Sequence, residues 1–406
     1  MSTPGLKDIE HARQRLRGAV YETPCAYSER LSELSGTRCH VKLENLQMTG
    51  SFKERGAANR LMQLDGEERR RGVVTASAGN HGLAVAFHAA RLGIPAVIVM
   101  PEWAPLIKVT SARRHGADVL LAGANFDEAR AHAVDLARDR GLVMVHPFDD
   151  DAVIAGQGTL GLELLEQCPG LDAVIVPVGG GGLVAGAALA VKGRRPEVRV
   201  IGVQSEALPA MRRALDAGHR VDVPAAPTIA DGIAVRVVAE RTLALTRTHV
   251  DDVVTVGEED LANAILLLLE IEKTVVEGAG AAPLAALLNR PLGVAGATVA
   301  LVLSGGNIDV TMLSRIIDRG LVKDGRLVRL GVVVVDRPGA LARLSALIAE
   351  ARANIVHIEH DRAFSRWAAI GETEVELTLE TTGRPHVEDL KRRLETAGYR
   401  VAERRA

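Results

Sequence analysis

One lysine of this 406-residue chain has neighbours that could make its amine reactive. It is Lys53, in the segment SFKERGA at residues 51–57. Most lysines are solvated surface residues, and that is the ordinary interpretation of any single one. Phe52 before it, and Gly56 and Ala57 at the start of the stretch GAANRLM after it, indicate instead a packed helix. A lysine amine desolvated among apolar groups has a lowered pKa and becomes nucleophilic.

Three glycine-rich turns follow apolar, β-branched runs: SAGNHG at 77–82, PVGGGGL at 177–183 and SGGN at 304–307. Consecutive glycines let backbone N–H groups close around a phosphate, and a following helix N-terminus adds a favourable dipole. Glycine runs also make simple tight turns, so both roles are open for PVGGGGL alone. It lacks the lysine and hydroxyl of a nucleotide-triphosphate loop and the G-x-G-x-x-G spacing, which argues against a dinucleotide site.

The polar residues of the other two turns also have two interpretations each. Ser77 and Asn80 could cap a helix, or the N–H groups there could hold a carboxylate. His81 taken alone is a satisfied polar residue rather than a catalyst. Ser304 should face the same crevice, although a plain turn with Asn307 capping a helix from 309 is equally simple. A nucleophilic lysine, a phosphate cradle and the lack of a metal-ligand pattern together suggest an aldehyde-bearing phosphate cofactor held as a Schiff base.

The elements that must position these residues alternate between strands and helices, which predicts an α/β fold. Length predicts two or three domains, and 47% apolar with 25% charged residues is ordinary for a globular protein. Buried strands followed by helices indicate parallel sheet covered on both faces, with ligands beyond the carboxyl ends of the strands. The predicted strands are VVTASAG at 73, AVIVM at 96, ADVLLAG at 117, LVMVHPF at 142, AVIVPVGGGG at 173, VRVIGVQ at 198 and ATVALVLSGGN at 297.

The pattern changes near residue 327 to that of a small α+β module. We expect its strands at 327–335, 354–360 and 373–380, its helices at 338–352 and 386–397, and a possible short final strand. The polar segment LVKDGR at 321–326 is the predicted linker. This gives a first domain at 1–320 and a second at 327–406.

Composition limits the classes of partner and the cellular compartment that fit the sequence. A net charge of -2 gives no electrostatic signature of nucleic acid or of an anionic membrane. Cys25, Cys39 and Cys168 are widely spaced and predicted to be free thiols, which suits a reducing compartment. No signal-like segment or membrane span is apparent, so we expect a cytoplasmic protein. His357 and His360 would point to opposite faces of a strand, which argues against a metal site there, although metal binding elsewhere is left unknown.

A family resemblance runs through nearly the whole chain. KLENLQMTGSFKERGA, ASAGNHG, VPVGGGGL, TIADGIAV, VVEGAGAAPLAALL and VLSGGNID, in this order, resemble the threonine/serine dehydratase branch of the tryptophan-synthase-β-like pyridoxal phosphate enzymes. The resemblance implies a two-lobed fold-type II enzyme whose smaller lobe, about 54–153, is inserted in the larger one. DRPGAL and ANIVHIEHDR near the C-terminus are similar to an ACT domain, a ferredoxin-like amino-acid-sensing module.

The resemblance also implies roles for individual residues. Lys53 would form the internal aldimine, and Ser304 would face the pyridine nitrogen, where a neutral hydroxyl makes a weaker electron sink and favours elimination. The other expected cofactor contacts are Phe52, Asn80, Gly179, Gly180, Gly181, Gly182 and Leu183. The expected loop for the substrate carboxylate consists of Ser77, Ala78, Asn80 and His81.

The activity implied is deamination of L-threonine, and of L-serine, by β-elimination of water, giving 2-oxobutanoate or pyruvate and ammonia. A dehydratase of another β-hydroxy amino acid, such as 3-hydroxyaspartate, and a non-catalytic amino-acid-binding regulatory protein are the alternatives. Relatives that racemise serine carry a serine where this chain has Ala78, so racemisation is disfavoured. Leu83 stands where many relatives have glutamine, which leaves the substrate preference open.

For the ACT module the resemblance implies a small effector, isoleucine or valine, held between two modules of a homodimer or homotetramer. The expected effector contacts are Asp336, Pro338, Gly339, Ala340, Leu341, Asn354 and Ile355.

Overall fold

The structure is a computed structural model that describes residues 4–361 and 369–404. The predicted domain ranges 1–320 and 327–406 therefore include residues, at 1–3, 362–368 and 405–406, that lie outside the described part. The chain divides into two compact units between Ile308 and Asp309.

The first unit contains most of the described helices and strands. Its helices are α1 (Leu6–Leu16), α2 (Glu29–Ser35), α3 (Lys53–Met62), α4 (Gly66–Arg71), α5 (Asn80–Leu92), α6 (Leu106–Arg114), α7 (Phe126–Arg140), α8 (Asp151–Gln167), α9 (Gly182–Arg194), α10 (Ala210–Ala217), α11 (Glu240–His249), α12 (Glu258–Ile271) and α13 (Gly278–Asn289). Its strands are β1 (Cys25–Tyr27), β2 (Arg38–Lys42), β3 (Val73–Ala76), β4 (Ala96–Met100), β5 (Asp118–Leu121), β6 (Val143–Met144), β7 (Ala173–Pro177), β8 (Arg199–Ser205), β9 (Asp252–Val256) and β10 (Thr298–Val302).

Two twisted sheets organise this unit. The larger has the strand order β1-β2-β10-β7-β8-β9 and is parallel except for the edge strand β1. The smaller has the order β5-β4-β3-β6 and is parallel throughout. All seven predicted strands are present, and β1, β2 and β9, which the pattern does not predict, complete the larger sheet. The α/β prediction is confirmed.

The carboxyl ends of three strands lead directly into the three glycine-rich turns. β3 is followed by SAGNHG, β7 by the glycine run and β10 by SGGN. Every residue of β3, β7 and β10 is buried, as expected for β-branched strands covered on both faces. The smaller sheet comes from chain between β2 and β7, within the predicted inserted lobe of 54–153.

Helix α3 is anchored by a buried ion network, which we define as Lys42, Glu44, Arg55 and Glu163. Arg55 pairs with Glu44 at 2.7 Å and with Glu163 at 2.5 Å, and Lys42 pairs with Glu163 at 2.6 Å. Arg55, Lys42 and Glu44 are inaccessible to solvent. Removing one member of such a network leaves an uncompensated buried charge, so the network holds α3 in a single position.

The second unit is an antiparallel sheet covered on one face by two helices. Its elements are α14 (Val310–Lys323), β11 (Leu327–Val335), α15 (Ala340–Glu350), β12 (Asn354–Asp361), β13 (Glu372–Glu380), α16 (Arg384–Thr396) and β14 (Arg400–Arg404), with the strand order β12-β13-β11-β14. Its core is built from one face of β11 and β13 and from the apolar stripes of α15 and α16. The α+β prediction, including the short final strand, is confirmed.

The structure differs from the predicted linker at 321–326. Residues 321–323 end helix α14, and the second unit begins at Asp309. The apolar spacing of Leu313, Ile316 and Leu321 carries the helix into the polar segment that looked like a connection. Among the described residues, no helix combines the length and apolar character required to cross a membrane.

Candidate active site

Lys53 is the first residue of α3 and is held against the end of β10. The backbone N–H of Phe52 donates to the carbonyl of Ser304 at 3.0 Å, and Ser51 forms an antiparallel bridge with Gly305. Lys53 Nζ donates to the carbonyl of Pro147 at 3.2 Å and lies 5.1 Å from the centre of the Phe52 ring. The structure therefore brings Lys53, Phe52 and Ser304 together, as the sequence predicts.

The surroundings of Lys53 favour a neutral amine. Burial lowers the pKa of Lys53 to about 8, although the carboxyl of Glu277 opposes this effect. The half-buried side chain contacts an aromatic ring and one carbonyl. About a tenth of the Lys53 amine is therefore unprotonated and nucleophilic at pH 7, against less than about one in a thousand for an ordinary lysine.

The glycine run after β7 lets neighbouring groups approach its backbone closely. Gly181 has a φ of 93°, a conformation that favours glycine, and α9 starts at Gly182. A Cβ on Gly180 would lie 2.3 Å from the ring of Phe148, and one on Gly179 would lie 3.1 Å from the Cα of Ile233. Thr242 Oγ1 donates to the carbonyl of Gly180 at 2.7 Å.

The 13-residue helix α9 that follows supplies N–H groups without intrahelical partners and a favourable dipole for an anion. Leu183, the second residue of this helix, is 5% exposed. Both observations suit a phosphate bound at the glycine run.

The turn after β3 leads into helix α5, and no side chain of the turn caps this helix. Gly79 is the N-cap and has no capping side chain, while Ser77 Oγ accepts from the N–H of Gly79 at 3.2 Å. Neither Ser77 nor Asn80 caps the helix, so that interpretation is wrong. Residues Ser77, Ala78 and Asn80 are half-exposed, and the first N–H groups of α5 have no intrahelical partner.

His81 is a buried neutral imidazole. Its Nε2 lies 3.0 Å from the carbonyl of Val145, which can only accept, so Nε2 carries the proton. Burial lowers the pKa of His81 to about 3, the charge of Lys53 lowers it further, and the Val145 hydrogen bond opposes both. His81 is thus a polar residue of the core, and only its backbone N–H belongs to the half-exposed turn.

Asn307 joins the turns of the two sheets. Its Nδ2 donates to the carbonyl of Thr49 and to Asn80 Oδ1, both at 2.8 Å. The cap of α14 is Asp309. The interpretation of Asn307 as a helix cap is therefore wrong.

The site also contains residues that sequence reasoning did not assign to it: Pro147, Phe148, Asn307 and Glu277. Glu277 is 3% exposed, and its Oε1 accepts from Asn80 Nδ2 at 2.8 Å. Burial raises the pKa of Glu277 to about 7, with a further rise from Asp231 and opposing effects of Asn80, Lys108 and the Asn307 N–H. An acid directly before GAGAAPLAALL, an otherwise apolar helix, was a signal available in the sequence.

Comparison with known proteins identifies the family of this site. Residues 16–305 match the model of pyridoxal-phosphate dependent enzymes. The chain belongs to that family. Residues 328–398 match the ACT domain, so this pyridoxal phosphate enzyme carries an ACT module at its C-terminal end.

The relatives of this pyridoxal phosphate enzyme include an L-threonine ammonia-lyase from Thermotoga maritima, which is 51% identical over 396 residues covering 98% of each chain. The structure of processed threonine deaminase isoform 2 from Solanum lycopersicum matches with a TM-score of 0.73 at 36% identity, covering 78% of this chain and 90% of that one. The structure of maize serine racemase matches with a TM-score of 0.74 at 34% identity, covering 79% and 99%.

The residues present fit pyridoxal phosphate. The amine of Lys53 suits an aldehyde, and the glycine run closed by Phe148 suits a phosphate at the start of α9. Among the described residues, no group of three or more His, Cys, Asp and Glu side chains is arranged to hold a metal ion.

The expected effector residues of the ACT module fall into two groups. Asp336, Pro338, Gly339, Ala340 and Leu341 follow β11, whose last residue, Val335, pairs with Glu372. Asn354 and Ile355 start β12, where Asn354 pairs with Glu380 at the other end of β13. The eight steps from 372 to 380 span roughly 25 Å at strand spacing. One module therefore does not bring the two groups together.

Proposed function

We propose that this enzyme deaminates L-threonine, and L-serine as a second substrate, by β-elimination of water. The products are 2-oxobutanoate or pyruvate, with ammonia. The observation that carries the proposal is Lys53 Nζ, whose pKa burial lowers to about 8. It donates to the carbonyl of Pro147, and the next residue, Phe148, packs against the glycine run. The near-full-length likeness to an L-threonine ammonia-lyase supports the choice of substrate.

The roles proposed for individual residues follow from the family resemblance. Pyridoxal phosphate, when bound, supplies an aldehyde for an amine and a sink for the Cα electrons. Lys53 is the amine that binds it and, once free, the base that takes the Cα proton. The residues Gly179, Gly180, Gly181, Gly182 and Leu183 would hold the phosphate. Phe52 would pack beside the ring, Asn80 would meet the ring oxygen and Ser304 would face the ring nitrogen.

The substrate carboxylate is placed by the turn at the start of α5. Backbone N–H groups of Ala78, Asn80 and His81, together with the hydroxyl of Ser77, lie where the helix dipole favours an anion. Holding the carboxylate there would orient Cα towards one positioned amine.

Ala78 bears on the choice between elimination and racemisation. A methyl group here offers no proton to the ring face opposite Lys53, so a D-amino acid product is disfavoured. The likeness to maize serine racemase makes this the alternative to measure.

The decisive experiment is an assay for 2-oxo acid with threonine, serine and 3-hydroxyaspartate as substrates. We expect the highest kcat/KM with threonine and no D-amino acid product on chiral chromatography. Preference for 3-hydroxyaspartate would replace the proposed substrate, and release of no 2-oxo acid from any of them would refute the proposed class.

Regulation is proposed to involve a small amino acid, isoleucine or valine, bound between the ACT modules of two chains. The separation of the two groups of effector residues along one sheet supports a site shared by two copies, in a homodimer or homotetramer. A chain ending at Arg326 should keep turnover and lose the effector response. Inhibition that persists in the shortened enzyme would contradict this proposal.

The cysteines support a cytoplasmic location. Cys25, Cys39 and Cys168 are free thiols. Burial raises the pKa of Cys25 and of Cys39 to about 12, so their thiols are chemically inert. Free thiols of this kind suit a reducing compartment.

A further inference from the structure

Glu277 lies between the turn after β10 and the turn after β3. It directly precedes α13, and its backbone N–H donates to the carbonyl of Gly305 at 3.0 Å. A Cβ on Gly305 would lie 2.5 Å from its Oε1, and one on Gly232 would lie 3.1 Å away. The carboxyl therefore occupies space that a side chain at position 305 would take and that one at position 232 would crowd.

Glu277 and Asn307 together favour one orientation of the Asn80 amide. Asn80 Nδ2 donates to Glu277 Oε1 at 2.8 Å, and Asn80 Oδ1 accepts from Asn307 Nδ2 at 2.8 Å. A flipped amide would set its oxygen against the carboxyl oxygen and its NH₂ against the NH₂ of Asn307. Two repulsive contacts would replace two hydrogen bonds, each of which contributes about 1 kcal/mol.

One hydrogen of the Asn80 amide remains available. Nδ2 carries two hydrogens, and Glu277 takes one of them. In the part of the chain that the structure describes, no second acceptor for Nδ2 is present. Since Asn80 is half-exposed, this N–H is available to a bound molecule.

We propose that Glu277 is a positioning residue for the cofactor: it fixes the amide of Asn80 so that an N–H, rather than a carbonyl lone pair, faces the ring oxygen of bound pyridoxal phosphate. This rests on the proposed placement of Asn80 beside that oxygen. A donor there stabilises negative charge on the oxygen, whereas a lone pair would repel it.

The charged groups that face Glu277 come from three other elements: Lys53 from α3, Lys108 from α6 and Asp231 from the segment before α11. Lys108 pairs with Asp231 at 2.9 Å, so these two charges largely compensate each other. Either protonation state of the Glu277 carboxyl keeps an oxygen that accepts from Asn80.

The test compares Glu277→Leu with Glu277→Gln in the full-length holoenzyme without substrate. Leucine removes the acceptor, whereas glutamine keeps an oxygen for Asn80 Nδ2. We expect the pH midpoint of the cofactor absorbance change to rise by about one unit in the leucine variant. The glutamine variant loses the same carboxylate charge, which raises the pKa of Lys53 in the wild type, so the midpoint of the leucine variant is compared with that of the glutamine variant. Equal midpoints in the two variants would overturn the proposal.

A double-variant cycle with Asn80→Ala tests whether Glu277 acts through Asn80. Asn80→Ala alone should raise the midpoint, and adding Glu277→Leu should raise it by no more than about 0.3 unit further. Additive shifts would mean that Glu277 acts by another route, and no shift with Asn80→Ala would mean that Asn80 does not meet the ring oxygen. Either result overturns the inference.

The same experiment separates this inference from the proposed substrate. The absorbance measurements require no substrate, so failure of the enzyme to deaminate threonine would leave their outcome unchanged. Glu277→Leu should also lower kcat about tenfold with little change in KM, because the substrate carboxylate is proposed to bind the backbone N–H groups of this turn and not the Asn80 side chain.

Discussion

Lys42 and Lys53 lie in two regions of the first unit, and their amines have different hydrogen-bond partners. Lys42 Nζ donates to the carbonyl of Thr23 at 2.6 Å, to Glu163 Oε2 at 2.6 Å and to Gln167 Oε1 at 2.9 Å. These three acceptors match the three hydrogens of an ammonium group. Lys53 Nζ has one carbonyl, at 3.2 Å, and an aromatic ring.

The difference teaches that burial alone does not make a lysine reactive. Lys42 is fully buried, yet its ammonium is paired with a carboxylate and is part of the scaffold. Lys53 is less enclosed but lacks a directly bonded carboxylate, and its pKa falls. The partners of the amine decide whether it supports structure or chemistry.

The largest effect should come from removing the reactive lysine. Lys53→Ala eliminates both the amine that binds the cofactor and the base for Cα, so kcat should fall about 10⁴-fold or more. Borohydride reduction and peptide mapping should tag Lys53 in the wild-type enzyme and no residue in the variant. Substantial turnover by the variant, or a tag on Lys42, would break the comparison.

Removing the centre of the buried ion network should reduce stability rather than alter chemistry. Arg55→Met leaves Glu44 and Glu163 with Lys42 as their remaining cation and should cost about 3–5 kcal/mol of unfolding free energy. Circular dichroism in urea measures this loss.

The control is Arg30→Met, because Arg30 pairs with Glu33 in solvent, with side-chain exposures of 64% and 57%. That change should cost less than about 1 kcal/mol. Equal losses in the two variants would contradict the assignment of Arg55 to a buried network.

The pH dependence of amine reactivity should distinguish Lys53 from ordinary lysines. A pKa lowered to about 8 means that the ammonium dominates below that pH and the neutral amine above it. In cofactor-free protein, acylation at Lys53 followed by peptide mass mapping should reach half its maximal rate near pH 8. An unperturbed lysine reaches it near about 10.4. A midpoint near 10 at Lys53 would show that the surroundings do not desolvate it.

The smallest expected effect concerns the glycine run, which is the proposed phosphate site. Gly180→Ala would place a Cβ 2.3 Å from the Phe148 ring. Overpacking costs about 1–3 kcal/mol, so the pyridoxal phosphate dissociation constant should rise about 10- to 100-fold. Gly170→Ala is the matched control, because no atom lies within 4 Å of a Cβ there. Equal affinity in the two variants would argue against the glycine run as the phosphate site.

The strands and the three turns could be predicted because their signals are local. β-branched runs such as AVIVP end in glycine, and buried parallel strands place such ends at one edge of a sheet. Lys53 and Ser304 then follow from their positions next to these turns, and the resemblance supplied their expected roles. The roles of the individual site residues stay predictions until the variants are measured.

The contacts that complete the site could not be predicted, because they join distant parts of the chain. Asn80 and Glu277 are separated by 197 positions, and Lys53 and Pro147 by 94. The charges of Lys42 and Arg55 suggest solvent exposure, and only the folded chain shows the carboxylates that pair with them. Polar residues likewise suggested a linker at 321–326, although packing continues α14 to Lys323.

The register of the ACT sheet has a genetic consequence. Each module presents the loop after β11 at one end and the start of β12 at the other. On the proposed two-copy arrangement, a mixed dimer with one copy damaged in the loop and the other at the strand start would keep one sound effector site. Two alleles whose products are each insensitive to the effector when expressed alone could then restore feedback inhibition when expressed together.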